Sequence, residues 1–119
     1  MPFKTILKEL TEIIPGATGA ILVDWEGEAV EYYCYHDDYE LKLLAAHKVI
    51  ILGRMKELQV TSDAGEFIDS IITTGSQFIV TGAVGSDYCL VLTLDRSAVV
   101  GQALYCFRKS VKLLEKEIY

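Results

Sequence analysis

The sequence contains few of the residue patterns that mark chemistry at a protein site. Its three cysteines, Cys34, Cys89 and Cys106, lie far apart, and no Cys-x-x-Cys pair occurs. Isolated thiols of this kind are typical of small buried apolar residues in a reducing compartment, so we expect no disulfide and a cytoplasmic location. Neither His36 nor His47 has, at helical spacing, a His, Cys or carboxylate that would complete a site, which argues against a metal site. The sequence also lacks the phosphate-binding loop of a nucleotide hydrolase.

Positive charge and long apolar runs are scarce as well. The 11 basic residues are dispersed against 17 acidic ones, which gives a net charge of −6. A nucleic-acid partner is therefore not expected, because binding to its phosphates requires clustered Lys and Arg. No apolar run approaches the ~20 residues of a membrane span, and the first ten residues lack the uninterrupted apolar stretch of a secretion signal. We expect a soluble protein without membrane insertion.

The residues that are present predict one α+β domain over residues 1–119. Hydrophobic residues make up 51% of the chain, enough for a core that needs neither metal nor disulfides. Apolar periodicity and turn residues predict the order helix, two strands, helix, three strands, helix. The predicted ranges are a helix ending at Pro15-Gly16, strands 18–25 and 28–35, a helix over 39–58 with an Asp at its N-cap, strands 66–74, 77–84 and 88–94, and a last helix capped by Asp95 or Ser97. Hairpin-length connections predict antiparallel strand pairs, and consecutive apolar residues predict helices on both faces of the sheet.

The second helix is unusual because it carries two apolar stripes. One stripe is expected to lie on the sheet and comprises Leu41, Leu44, Ile51, Leu52, Met55 and Leu58. The other lies on roughly the opposite side and comprises Leu43, Ala46, Ile50 and Gly53. A helix that is apolar on both sides must be covered on both sides, so we predict that a second copy of the chain covers the second stripe. In the alternative interpretation, Gly53 is a tolerated accident and the stripe touches a loop.

The predicted third strand, residues 66–74, supports the same interpretation. It is rich in β-forming residues and contains no Pro or Lys that would discourage pairing. At a sheet edge it would be an open template that could pair with its own copy across a two-fold axis. The predicted dimer interface is therefore the second stripe of the helix together with Phe67, Asp69 and Ile71.

The chain as a whole resembles the Roadblock / dynein light chain family, which includes bacterial gliding-motility regulators. The resemblance rests on Ile13-Ile14-Pro15-Gly16, on the segment from Gly19 to Gly27 (GAILVDWEG), on the long second helix and on the order of elements. It implies a profilin-like sandwich, with the five-stranded sheet between one helix and two. It also implies dimers that pair the second helices and the third strands. One departure is the tyrosine-rich second strand, Glu31 to Tyr35, where smaller apolar residues are expected.

These observations predict a non-catalytic regulatory or scaffolding homodimer without a cofactor. By resemblance, its partner would be a Ras-like small GTPase or a larger polarity, motility or transport assembly. The candidate partner-binding residues form a local basic strip on the second helix, namely Lys42, His47, Lys48, Arg54 and Lys56; the alternative is ordinary solvation of a helix. A different class of function is also compatible, a small-ligand sensor of PAS- or GAF-like shape, which would require an apolar cavity.

The aromatic residues leave two alternatives open. In the second strand, Tyr33 and Tyr35 should share one face and Tyr32 and Cys34 the other. The tyrosines either pack in the core and at the sheet edge or form a contact patch for a partner. Trp25, at the tip of the first hairpin, is either a second exposed anchor or folds back onto the first helix.

Overall fold

The structure has the predicted order of elements. It is a computed structural model that describes residues 2–59, apart from the side chain of Gln59, and residues 65–119. The elements are α1 (Pro2–Ile13), β1 (Ala17–Asp24), β2 (Ala29–Cys34), α2 (Asp38–Gln59), β3 (Asp69–Thr73), β4 (Gln77–Val84), β5 (Tyr88–Asp95) and α3 (Val100–Ile118).

The five strands form one antiparallel sheet in the order β2-β1-β5-β4-β3. Along β1 the side chains alternate between two buried clusters. Ala20 and Leu22 face α1 and α3, whereas Ile21 and Val23 face α2. The prediction of one helix on one face and two on the other is confirmed. Because β1 and β5 lie in the middle of the sheet, they are buried on both faces, which explains their consecutive apolar residues.

The helix starts follow the predicted capping chemistry at α2 but not at α3. The Asp37 carboxylate accepts a hydrogen bond of 2.9 Å from the backbone N–H of Tyr39 and thereby caps α2. Before α3, however, the N-cap position is Val99, which makes no side-chain cap bond. The Asp95 carboxylate instead accepts a hydrogen bond from the N–H of Ser97. The prediction that Asp95 or Ser97 caps α3 is therefore wrong, because Asp95 stabilises the turn that precedes the helix.

The third strand is shorter than predicted and begins at Asp69 rather than at Glu66. Upstream of it, Phe67 packs into the α2-side cluster, so residues 66–68 do not continue the alternation of a strand. Arg108 of α3 fixes the start of β3 by donating two hydrogen bonds, of 2.9 and 3.2 Å, to the Asp69 carboxylate.

The face of α2 that packs on the sheet differs from the predicted one. Leu41 and Leu52 are buried there as predicted, but the middle of the contact is formed by Ala45 and Val49. Leu44 is half-buried against the same cluster as predicted, whereas the other three predicted residues, Ile51, Met55 and Leu58, are exposed. Their assignment to the sheet is wrong because apolar residues surround α2, and periodicity alone does not identify which side packs on the sheet.

Among the helices of the described ranges, none combines the length and the hydropathy that would let it cross a bilayer.

Candidate functional site

The outer side of α2 carries a row of exposed apolar side chains. Relative exposure is 48% for Leu43, 60% for Ile50 and 67% for Leu58. Together with Ile51 and Met55, these residues define the α2 outer face. Single exposed apolar residues are common on soluble proteins, but several on one side of one helix indicate an interaction surface, here with the exposed His47 and Arg54 among them.

The structure divides the four predicted residues of the second stripe. Leu43 and Ile50 belong to the α2 outer face. Ala46 is half-buried beside the β1–β2 turn, where a Cβ atom added to Gly27 would lie 3.2 Å from the Cβ of Ala46. Gly27 has φ +90°, a conformation that favours glycine, so the small size of Ala46 is explained within the chain. A Cβ added at Gly53 would meet no described atom within 4 Å.

The outer edge of β3 offers backbone groups for pairing. The N–H of Thr74 donates to the carbonyl of Gln77, and the N–H of Ala83 donates to the carbonyl of Ile68. Hydrogen-bonded and non-hydrogen-bonded pairs alternate in an antiparallel ladder. The N–H and C=O groups of Asp69, Ile71 and Thr73 therefore point away from β4, and no described strand pairs with them.

The opposite edge of the sheet, at β2, is blocked by side chains. By the same alternation the N–H of Tyr32 points outward, and it donates a 3.1 Å hydrogen bond to the neighbouring Glu31 carboxylate. The Lys4 ammonium lies 3.7 Å from that carboxylate. The Tyr32 ring lies between Lys4 and Lys42, whose Nζ atoms are 5.3 and 4.3 Å from its centroid, and its hydroxyl donates to Asp38. These contacts discourage another strand from pairing with β2.

The tyrosines of β2 point as predicted. Tyr33 faces the α1–α3 side, whereas Tyr32 and Cys34 face α2. Tyr35 is exposed, and its ring packs edge-on against Tyr33 with 5.7 Å between the centroids. Sequence reasoning did not identify the role of Tyr32 at the sheet edge, which depends on lysines from two different helices.

The five basic residues predicted as one partner-binding strip do not lie together on the surface of α2. Lys42 and Lys56 lie toward the sheet at the two ends of α2, and Lys48 is half-buried. His47 and Arg54 are exposed, and Arg54 lies 4.0 Å from Glu57 in a surface ion pair. A single continuous strip is therefore absent from this part of the described chain.

Trp25 adopts neither of its two predicted positions. Its indole N–H donates a 2.9 Å hydrogen bond to the carbonyl of Ser86 in the β4–β5 turn. The Lys56 ammonium lies 4.3 Å from the centre of its ring. Trp25 is half-buried against the α2-side cluster, so it neither projects as an anchor nor contacts α1, which lies on the other face.

The clefts of the described residues are small or open to solvent. The cleft at the start of α2 has a volume of about 140 Å³, below the ~300 Å³ of typical ligand pockets, and the two larger depressions, of about 320 Å³ beside Tyr32 and about 460 Å³ beside Phe67, are more open at the surface. On its wall the hydroxyls of Thr18 and Thr93 are 2.7 Å apart and bond each other. Burial raises the pKa of Cys34, and it raises the pKa of Cys89 to about 12, so neither thiol is activated. No three metal-ligating side chains cluster among the described residues.

Comparison with known proteins identifies the fold. No protein-family model matches the sequence, and no curated protein matches it significantly. A Roadblock/LC7 domain from Streptomyces avermitilis superposes with a TM-score of 0.87 at 18% identity, covering 97% of this chain and 96% of that one. Myxococcus xanthus MglB gives 0.86 at 19% identity, with coverage of 99% and 95%. The chain has the Roadblock/LC7 fold.

The Roadblock/LC7 fold also places the chain near profilin, as the sandwich architecture predicts. Profilin IB from Acanthamoeba castellanii superposes with a TM-score of 0.64 at 14% identity, covering 98% of this chain and 99% of that one. This TM-score is lower than that of the Roadblock/LC7 domain, but the sheet and helices of profilin IB still superpose over nearly the whole chain. The resemblance inferred from the sequence is thus confirmed at the level of the fold.

Proposed function

We propose that this chain is a regulatory or scaffolding homodimer that binds a Ras-like small GTPase or a larger polarity, motility or transport assembly. The observation that carries the proposal is the difference between the two sheet edges. The β2 edge is blocked by Glu31, Tyr32 and two lysines. At the β3 edge, by contrast, no strand of the described residues pairs with the outward backbone groups, and α2 adds an exposed apolar face. Natural proteins block edges that must not pair, so the open edge is the one expected to have a partner.

The alternation along β3 fits a symmetric pairing with a second copy. A two-fold axis through Ile71 would place Ile71 opposite its own copy and Asp69 opposite Thr73 of the other chain. The outward backbone groups of all three residues would be paired, and the two sheets would continue as one. This axis keeps the two Asp69 carboxylates apart, because like charges that lie directly opposite each other on paired strands are destabilising. Phe67, predicted for this interface, is half-buried on the α2 side of the same edge.

The dimer is tested by Ile50→Asp. A carboxylate buried in an apolar interface costs several kcal/mol of association free energy, while Ile50 is 60% exposed in the single chain, so the fold should survive. We expect wild type to sediment as a dimer at micromolar concentration and the variant as a monomer. Val30→Asp is the matched control, because Val30 is 43% exposed on the blocked β2 edge. A monomeric wild type at this concentration would refute the dimer.

The GTPase partner is supported by the resemblance in sequence and by the fold shared with the gliding protein MglB of Thermus thermophilus, at 18% identity. Positive charge on the dimer would speed encounter with an acidic switch region of the GTPase. Of the four Lys and Arg residues of α2, Lys48 and Arg54 have no aromatic contact among those described.

The partner is tested by titrating the protein against Ras-like GTPases from the same genome, each loaded with GDP or with a GTP analogue. We expect binding in at least one nucleotide state and at least about tenfold weaker binding by the Lys48→Glu/Arg54→Glu variant, because reversal places like charges together. Lys8→Glu/Lys112→Glu carries the same change in net charge on the opposite face and should bind normally. Sedimentation must show that each variant remains dimeric. Binding to none of the GTPases in either state would contradict this partner and leave the scaffolding role.

A further inference from the structure

A second apolar surface lies on the face of the sheet opposite α2. Helices α1 and α3 pack side by side there, and between them runs an open groove of about 140 Å³. We define the α1–α3 groove by Ile6, Leu10, Ile13, Cys106 and Leu113, with Glu9 and Lys109 on its two sides. Ile13 is 65% exposed and Leu113 is 48% exposed. This surface is separate from the α2 outer face and the β3 edge.

The two sides of the groove carry opposite charge. On α1 the exposed residues Glu9 and Glu12 are three positions apart. On α3 the exposed residues Lys109, Lys112 and Lys116 follow at steps of three and four, so they lie along one ridge of the helix; the exposed Glu117 adds one acidic group at the end of α3, beyond the residues that line the groove. In the described residues no ion pair within 4 Å joins the acidic side to the basic side. The groove is thus an apolar strip between an acidic ridge and a basic ridge.

We propose that the α1–α3 groove binds the same groove of a second copy of the chain. A two-fold axis running along the groove would lay α1 of each copy over α3 of the other. The acidic ridge of each chain would then face the basic ridge of its partner, and the apolar strips would cover each other. Glu9 and Lys109 line the same part of the groove, and rotation about an axis along the groove keeps them at the same level. An axis across the groove would instead place α1 over α1 and oppose like charges, so the charge pattern selects one of the two packings.

The size of the surface sets the strength of this contact. Helices of 12 and 19 residues are about 18 and 28 Å long, and two of them side by side offer an area of roughly 400–500 Å² per copy. This is at the low end for specific interfaces. The contact is therefore a weak one, which forms at high local concentration and links the dimers proposed above into larger assemblies.

Charge reversal tests the proposal with the full chain. The first variant is Lys109→Glu/Lys112→Glu, which makes both ridges acidic, and the second is Glu9→Lys/Glu12→Lys, which makes both ridges basic. We expect wild type to form a species of at least twice the mass of its dilute form at about 100 μM or above in sedimentation at low salt. Each variant alone should lose that species, with association at least about tenfold weaker. A 1:1 mixture of the two variants should regain it, because each acidic ridge then meets a basic one.

Two controls separate this interface from net charge and from the proposed dimer. The fourfold variant that combines both pairs keeps the net charge of −6 and should associate like wild type. Glu26→Lys/Glu28→Lys, at the β1–β2 turn, changes the net charge as the second variant does and should retain the larger species. If the chain is monomeric when dilute, the larger species is expected to contain two copies, and the variants should affect it in the same way. The mass of the dilute form therefore reports on the α2 and β3 dimer, and the effect of the variants reports on the α1–α3 groove. A wild type that never forms the larger species, or a mixture of variants that does not associate, would overturn the proposal.

Discussion

At the scale of single residues, two lysines change the interpretation of α2. In the sequence Lys42 and Lys56 belong to a basic strip, because charged residues on a helix are normally expected in solvent. In the structure their ammonium groups lie over the rings of Tyr32 and Trp25, each 4.3 Å from the ring centre. Long side chains can bury their stems while the charge remains at an aromatic face. These contacts therefore hold α2 against the β1–β2 hairpin, at Tyr32 in β2 and at Trp25 after β1.

Lys56→Met should lower the free energy of unfolding by about 0.5–1 kcal/mol, because it keeps an unbranched side chain but removes the cation–π contact with Trp25. Trp25 is the only tryptophan of the chain, so its emission should change in the folded variant as well. Denaturant titration followed by fluorescence measures both effects. Lys8→Met is the control, since Lys8 is exposed on α1, and it should leave the emission of Trp25 unchanged. Equal stability of Lys56→Met and wild type would show that the contact contributes nothing.

At the scale of elements, the sequence was sufficient wherever turn residues and periodicity agreed. The range of β4 is the predicted one, residues 77–84, because Gly75-Ser76 and Gly85 delimit it on both sides. The sequence was not sufficient to predict which side of α2 packs on the sheet. Both of its stripes are apolar, and the buried side is the one that carries Ala45 and Val49. The sequence also placed the start of β3 three residues early, because Phe67 is β-forming in composition but packs under α2 as part of a loop.

The two edge strands illustrate the same limit for the candidate site. The lack of Pro and Lys in β3 correctly indicated an unprotected strand, and the structure places it at an edge. The protection of β2 could not be predicted from its own residues. It requires Lys4 from α1 and Lys42 from α2, which come together only in the folded chain. The tyrosine-rich strand that departs from the family pattern is thus explained in part by edge protection at Tyr32.

At the scale of the whole molecule, the fold leaves apolar surface on both of its layers. The α2 outer face and the β3 edge would be covered in the proposed dimer, while the α1–α3 groove would remain accessible on the other face. A chain with a net charge of −6 is repelled by its own copies at long range, so association depends on local apolar and oppositely charged surfaces. The two proposed interfaces are expected to differ in strength, because the first would combine backbone pairing with apolar burial and the second would have only a two-helix contact.

If the folded form is a dimer, its thermal stability must depend on protein concentration, because unfolding then separates two chains. For two chains of 119 residues, average unfolding enthalpies predict a rise in Tm of about 3 °C for each tenfold increase in concentration. We expect this slope for wild type between ~1 and 100 μM by scanning calorimetry or circular dichroism. The Ile50→Asp variant should unfold at a lower Tm that does not change with concentration, whereas Val30→Asp should keep the wild-type slope. A concentration-independent Tm for wild type would mean that the chain unfolds as a monomer, and the open β3 edge would then need a partner other than its own copy.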